Sequence, residues 1–203
     1  MKDNKSISLF IDTATKTLSV GVIFGDKSMI SEPMDSKKAL EQTNAAIEKL
    51  ASEIGFCLQD IDDFYCLLGL GSNTGIRLGL TIPKTIYAFN PNIHLYGIET
   101  MKLFLEDHRE DLAALSDRAG NLFVGSYDKE IYSFQKINKA DIQNMDKSKN
   151  IIIENGDIFA ENELLGFKIT KINVVKQMMK SKSSFIDFSD KNDEYLPIYS
   201  QTI

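Results

Sequence analysis

The run Gly69-Leu-Gly-Ser-Asn-Thr-Gly-Ile-Arg-Leu-Gly79 constrains the fold more than any other stretch of this chain. The apolar segment Phe64-Tyr-Cys-Leu-Leu68 precedes it, and a helical pattern reaching about Phe89 follows it. It therefore predicts a buried strand that turns tightly through glycines onto a helix N-terminus. Such a turn presents backbone N–H groups and the positive end of a helix dipole, which suits an anion as well as it suits a purely structural connection. Gly69, Gly71 and Gly75 are spaced G-x-G-x-x-x-G, and no Gly-Lys-Ser/Thr follows, so the chain carries neither the dinucleotide fingerprint nor a P-loop. Gly71 and Ser72 are candidate nucleotide or anion contacts; Ser72 is also placed to cap the helix.

Around this turn the pattern is mixed α/β. Residues 7–13, 17–25 and 28–34 read as three short strands, and a helix over about 37–53 follows, with Leu40, Thr43, Ile47, Leu50 and Ile54 in step and Gly55 as its C-cap. Strand 63–68, helix 74–89 and a strand near 94–97 complete a first unit, 1–98. A second, 99–203, has a helix over 99–107, strands near 112–117, 121–127 and 130–137, a buried strand at 150–154, and helical stretches at 159–165 and 173–181. Residues 141–149 read as a surface connection, and the tail after Ser181 as loop to Tyr195. Periodicity alone goes no further than α/β.

With 203 residues the chain is long enough for a real core, and 43% hydrophobic with 26% charged residues is the balance of a soluble globular protein. A net charge of −6 argues against a chain that grips a nucleic-acid backbone by itself. Lys168, Lys171, Lys176, Lys180 and Lys182 read as a solvated helix face or, alternatively, a local basic patch. Two cysteines without CxxC give neither a disulfide framework nor a zinc site. No run approaches membrane-spanning length and no leader pattern opens the chain, so a cytoplasmic location is expected.

Few residues suggest chemistry. Asp12, at the end of the first strand beside Thr13 and Thr15, suits either phosphate binding or a hairpin turn that bonds its own backbone. His94 and His108 sit in no ligand pattern, and no nucleophile elbow, HExxH or metal set is present. The helix from Gly75 is apolar on two sides: Ile76, Leu80, Pro83 and Tyr87 line one, and Leu78, Ile82, Ile86 and Phe89 the other. One side can cover its own sheet, and the other needs a cover from within the chain or from a partner. Pro83 removes a backbone hydrogen bond and is expected to kink the axis.

GLGSNTGIRLGL resembles the GPGSFTGLRxG signature of the TsaB (YeaZ) family. Leu9-Phe-Ile-Asp-Thr-Ala-Thr15 with Thr17–Val22 resembles its opening IDTAT…LSVA hairpin. Ser116–Phe123 is similar to its DARRGEVY segment, and Tyr195-Leu-Pro-Ile-Tyr199 to its closing P-x-Y. The resemblance implies a two-lobed actin/Hsp70/sugar-kinase-like (ASKHA) fold with a reduced C-terminal lobe. It also implies a non-catalytic subunit that pairs with a TsaD-like catalytic chain, joined by a TsaE-like ATPase, in threonylcarbamoyl-adenosine modification of tRNA. In that family the two N-terminal helices form the pairing surface, which here implies Leu40, Glu41, Ile47, Gly75, Ile76, Gly79, Leu80 and Pro83. Arg77 would bond helix ends or carboxylates across the seam. A bulky residue at Gly79 should then abolish pairing and leave the subunit folded. The same superfold keeps an ATP-dependent phosphotransferase or hydrolase open as an alternative, with Asp12, Thr13, Gly71 and Ser72 at a weak ATP/ADP site. A self-associating scaffold or homodimer is a further one. Contact with tRNA is expected only through the complex. The chain departs from the family pattern at Ala39, Leu40, Leu70, Asn73, Pro83 and Ser116.

Overall fold

The computed structural model describes residues 6–117 and 119–199; Arg118, inside one of the motifs above, lies outside the described residues. Two sheets organise the chain. The first is built from β1 (Ile7–Asp12), β2 (Ser19–Phe24), β3 (Lys27–Ile30), β4 (Asp63–Gly69) and β5 (His94–Glu99), interleaved with α1 (Ala39–Ile54) and α2 (Asn73–Phe89). After α3 (Thr100–Phe104), the second sheet takes β6 (Leu112–Ser116), β7 (Leu122–Asp128), β8 (Ile131–Ile137), β9 (Asn150–Glu154) and β10 (Lys168–Ile172), with α4 (Lys139–Asn144) and α5 (Ile158–Glu163) between them. Then α6 (Val174–Lys180) and the two-residue β11 (Ile186–Asp187) close the fold.

The two sheets repeat one plan. In the first, β1 pairs antiparallel with β2 and β2 with β3, while β1, β4 and β5 run parallel. In the second, β6 pairs antiparallel with β7 and β7 with β8, while β6, β9 and β10 run parallel. The helices α4 and α5 between the strands of the second sheet are six residues each, against 16 and 17 for α1 and α2 in the first. This is the two-lobed arrangement with a reduced second lobe. From the segment expected in the second unit, α6 packs on β1 and β2, with Val175 and Met179 against Gly21, and β11 extends the first sheet beside β5. The second sheet is thus built from 112–172, and the last segment returns to the first lobe.

Strand alternation explains which side of the first sheet each helix covers. Leu9, Ile11 and Cys66 turn toward α2, whose Gly79 carbonyl accepts from the Cys66 thiol at 3.3 Å. That carbonyl is the one that loses its helical donor to Pro83, so α2 runs unbroken through the proline with the bond replaced. Burial pushes the Cys66 thiol up to about 12, so it stays a neutral donor. On the other side, Phe10, Tyr65 and Tyr96 stack in a row, with centroids 4.7 and 4.6 Å apart, under the Lys182 ammonium. Lys168 and Lys171 lie on β10 and Lys176 and Lys180 on α6, so the late lysines form no single helix face; Lys171 pairs with Glu161 and Lys180 with Asp107. The start of 141–149, expected as connection, belongs to the helix Lys139–Asn144, which has a full capping box from Asn138 and Asp141.

Candidate functional site

The glycine turn sits where β4 ends. Gly69 (φ 132°) and Gly71 (φ 152°) occupy backbone conformations that disfavour a side chain, and a Cβ on Gly71 would come within 2.5 Å of the Ala14 carbonyl oxygen. Ser72 caps α2 by accepting from the Gly75 N–H at 3.2 Å. The tail closes the turn from the other side: Ile198 N–H donates to the Leu68 carbonyl at 2.6 Å, and Tyr195 is fully buried, with its hydroxyl on the Tyr96 carbonyl. Arg77, expected across a partner seam, instead donates from Nε to the Tyr199 hydroxyl at 2.8 Å and lies over that ring at 5.4 Å. The glycine signature and the closing P-x-Y motif thus meet as one unit. Because the Arg77–Tyr199 contact is exposed, Arg77→Ala should cost under about 1 kcal/mol in denaturant unfolding while amide exchange at Ile198 speeds up. Tyr195→Ala should cost about 3 kcal/mol or more.

A cleft of about 710 Å³ opens between the turn and the second sheet. Gly71, Ser72, Asn73 and Thr74 form one wall; Ser116, Asp117, Asn121 and Lys136 stand opposite, over a floor that includes Phe123 and Phe134. Asp12, Thr13 and Gly75, by contrast, belong to the packing beneath. The Asp12 carboxylate accepts from Ala14 N–H, Thr15 N–H and the Thr15 hydroxyl at 3.0, 3.1 and 2.5 Å, and Thr13 donates its hydroxyl to the Gly75 carbonyl at 2.7 Å. Burial pushes the Asp12 carboxyl up to about 6 against those bonds. Both Asp12 oxygens accept from its own loop.

The second lobe contributes acidic residues that sequence reasoning missed. Glu154, at the end of β9, is fully buried and accepts from Lys16 N–H at 2.6 Å through Oε1, while Oε2 has no partner. Burial, then the neighbouring Asp12 charge, push its carboxyl up to about 8. Asp157 caps α5 and binds both the N–H and the hydroxyl of Ser116 at 2.7 and 2.5 Å. The family's aspartate position at 116 is therefore filled by a serine that holds a neighbouring aspartate. Asp117 faces the cleft, held low by Asn121 and the Ala119 amide against the opposing effect of burial. Among the described residues no three His, Cys, Asp or Glu side chains converge as a metal site would need. No described helix is long and apolar enough to cross a membrane.

The residues expected at a pairing surface fall into two groups. Ile47, Gly75, Ile76, Gly79, Leu80 and Pro83 are buried against the chain's own sheet and loops. A Cβ on Gly75 would overlap the Thr13 carbonyl, and one on Gly79 would lie 2.7 Å from Thr13 Oγ1. These glycines admit the β1–β2 loop, so a bulky Gly79 variant would disturb the fold itself. Of the expected set, Leu40, Glu41 and Arg77 are exposed. On the other apolar side of α2, Leu78 is half-buried, Ile82 and Ile86 are half-buried against the core, and Phe89 is 87% exposed. His94 bonds the buried Asp63 at 3.0 Å, and His108 bonds Asp111 at 3.2 Å near the surface.

No family model matches the chain. An uncharacterized protein of Mycoplasma genitalium (MG208) is 23% identical over 145 residues, covering 70% of this chain and 74% of the relative. A Bacillus subtilis protein named tRNA threonylcarbamoyladenosine biosynthesis protein TsaB is 26% identical over 125 residues, covering 59% of this chain and 54% of the relative. A Mycoplasma pneumoniae homologue of the first is 29% identical over 98 residues, covering 47% of this chain and 50% of the relative. The chain thus spans about half the length of two of these relatives. Among solved structures, YeaZ from Pseudomonas aeruginosa superposes with TM-score 0.68 at 12% identity, covering 96% of this chain and 99% of that one. A structure described as an uncharacterized protein similar to the peptidase YeaZ from Pseudomonas aeruginosa gives TM-score 0.71 at 12% identity, covering 97% and 100%. At that identity the structures establish the fold.

Proposed function

We propose that this chain, for which the sequence relatives and the shared fold support the TsaB (YeaZ) family, is a subunit of the machinery for threonylcarbamoyl-adenosine modification of tRNA. It has no catalytic role of its own. It pairs with a TsaD-like catalytic chain, a TsaE-like ATPase joins the pair in the cytoplasm, and tRNA is met only through the complex.

The observation that carries this reading is the second apolar side of α2. Leu78, Ile82 and Ile86 repeat every fourth residue, half-buried at the edge of the core, and end at the exposed Phe89, while the opposite side is already buried on the sheet. Isolated exposed apolar residues are ordinary, but a stripe in register along a whole helix is what a helix-on-helix partner covers. Leu40, 56% exposed at the start of α1, and Glu41 beside it add to this surface. The inward-turned Asp12 supports a subunit over a phosphotransferase, since its oxygens are committed to Ala14 and Thr15.

Co-expression with the same organism's TsaD-like chain, read by size-exclusion with light scattering, is expected to give a one-to-one complex. Phe89→Asp should weaken it more than tenfold, as loss of an exposed aromatic anchor does, with the unfolding midpoint unchanged. Two separate peaks for the wild-type chains, or full pairing by Phe89→Asp, would overturn the surface. The chain alone in the same instrument tests the homodimer. The 710 Å³ cleft, with Lys136 and the start of α2 on its walls, favours weak nucleotide binding as a second reading. Calorimetry with Mg-ATP tests it, and absence of heat at millimolar nucleotide removes it.

A further inference from the structure

The two lobes meet through two loops, one from each lobe. The β1–β2 loop, 13–18, reaches the β9–α5 loop, 155–157. Lys16 N–H donates to Glu154 Oε1 at 2.6 Å, the Thr17 hydroxyl donates to the Asn155 carbonyl, and Lys16 Nζ donates to the Asp117 carbonyl at 3.2 Å. Asp12 of the first lobe and Glu154 of the second stand at the centre of this seam, both fully buried. Thr15 donates its one hydroxyl proton to Asp12 Oδ2 at 2.5 Å, which leaves Glu154 Oε2 without a partner.

Among the described residues, the groups facing Glu154 come from three elements, and none brings a cation. β1 contributes Asp12, the cap of α5 contributes Asp157, and the hairpin loop contributes the Thr15 hydroxyl and the Lys16 backbone. The Lys16 ammonium is turned to Asp117, and among the described residues no ion pair involves Asp12 or Glu154. Two ionised carboxylates in such a site repel each other in a low dielectric, and an unpartnered buried anion carries the full desolvation penalty. A proton on Glu154 removes both costs.

We propose that Asp12 and Glu154 form a proton-held clasp between the two lobes, closed while Glu154 keeps its proton and released when that proton passes to solvent. Closure fixes the β1–β2 loop, which carries the Thr13 and Ala14 carbonyls on which Gly75 and Gly71 are packed, so the clasp bears on the start of α2 as well. Opening exposes Glu154 to water, where its carboxyl titrates near the ordinary 4.5; in the closed seam burial and Asp12 hold it up to about 8. Local opening is therefore favoured about tenfold more for each pH unit in the upper part of that range and levels off above it.

Amide exchange of the intact chain, followed by mass spectrometry from pH 6.5 to 9.5 and normalised to intrinsic rates, tests this. Segments 13–18 and 154–158 should lose protection about tenfold per pH unit up to about pH 8 and then level off, while β4 and β5 stay protected. Glu154→Gln should flatten the profile. Asp12→Asn, which removes the like charge, should bring the levelling point to lower pH and keeps the test alive if the glutamine variant folds poorly. A flat wild-type profile, or a Glu154→Gln profile that follows the wild type, overturns the clasp.

Discussion

Gly75→Ala should leave the chain largely unable to hold its native fold, at a cost above about 3 kcal/mol. A methyl group at this position overlaps the Thr13 carbonyl oxygen, a backbone atom that cannot rotate away, and Ser72 Cβ stands on another side at 3.3 Å. The same carbonyl-to-helix approach is tied by the Thr13 hydroxyl on the Gly75 carbonyl. Relief would need α2 to lift from β1 and β4, which uncovers Ile76 and Leu80 together. Gly79→Ala should cost less, because the atom it meets at 2.7 Å is the Thr13 hydroxyl, which can turn at the loss of its hydrogen bond. Urea unfolding followed by circular dichroism ranks the two; a Gly75→Ala midpoint matching wild type would refute the close packing. With Phe89→Asp, these variants separate folding from pairing on one helix.

Glu154→Gln should stabilise the chain at pH 8 by on the order of 3 kcal/mol. The sign follows from which state holds the proton. In the unfolded chain this carboxyl ionises near 4.5, whereas in the fold burial and the Asp12 charge push it up to about 8. Between those values the folded chain binds a proton that the unfolded chain has released, so stability falls as pH rises through the interval and levels off above it. Asp12, raised by burial to about 6, adds to the slope only below about pH 6. A glutamine at 154 cannot ionise, and its carbonyl oxygen can still accept from Lys16 N–H. Thermal unfolding at pH 6.5, 7.5 and 8.5 should therefore show a declining wild type and a nearly level variant. A variant that declines in parallel, or falls below wild type at pH 8.5, would contradict the assignment.

How far the sequence could be read depends on how local each determinant is. The turn from β4 into α2, the Ser72 cap and the Gly55 C-cap stand within a few residues of the signals that announce them, and all three form. The two apolar sides of α2 were also legible, but not which one meets the sheet. Gly75 and Gly79 are cut away for close approach, and close approach by the chain's own Thr13 loop leaves the same trace as approach by a partner. Lys168-Ile-Thr-Lys-Ile172 repeats its lysines and isoleucines every third residue, so nothing in it announces a strand and its lysines read as a helix surface. The two-residue β11 has no pattern to detect. Glu154 and Asp157 escaped because their partners are remote: Lys16 lies 138 residues from Glu154, and Ser116 lies 41 from Asp157. Gly156 (φ 113°), which brings its backbone against Thr17, was the available hint of a tight loop there.

A role in tRNA modification through the outer side of α2 is tested most directly by the threonylcarbamoyl-adenosine content of tRNA. Nucleosides from cells depleted of this chain would be measured by mass spectrometry, then measured again after return of wild-type protein or of Phe89→Asp. The modified nucleoside should fall on depletion, recover with wild type and stay low with the variant, although the variant is folded. An unchanged level after depletion would contradict the role, and full recovery with Phe89→Asp would contradict the surface.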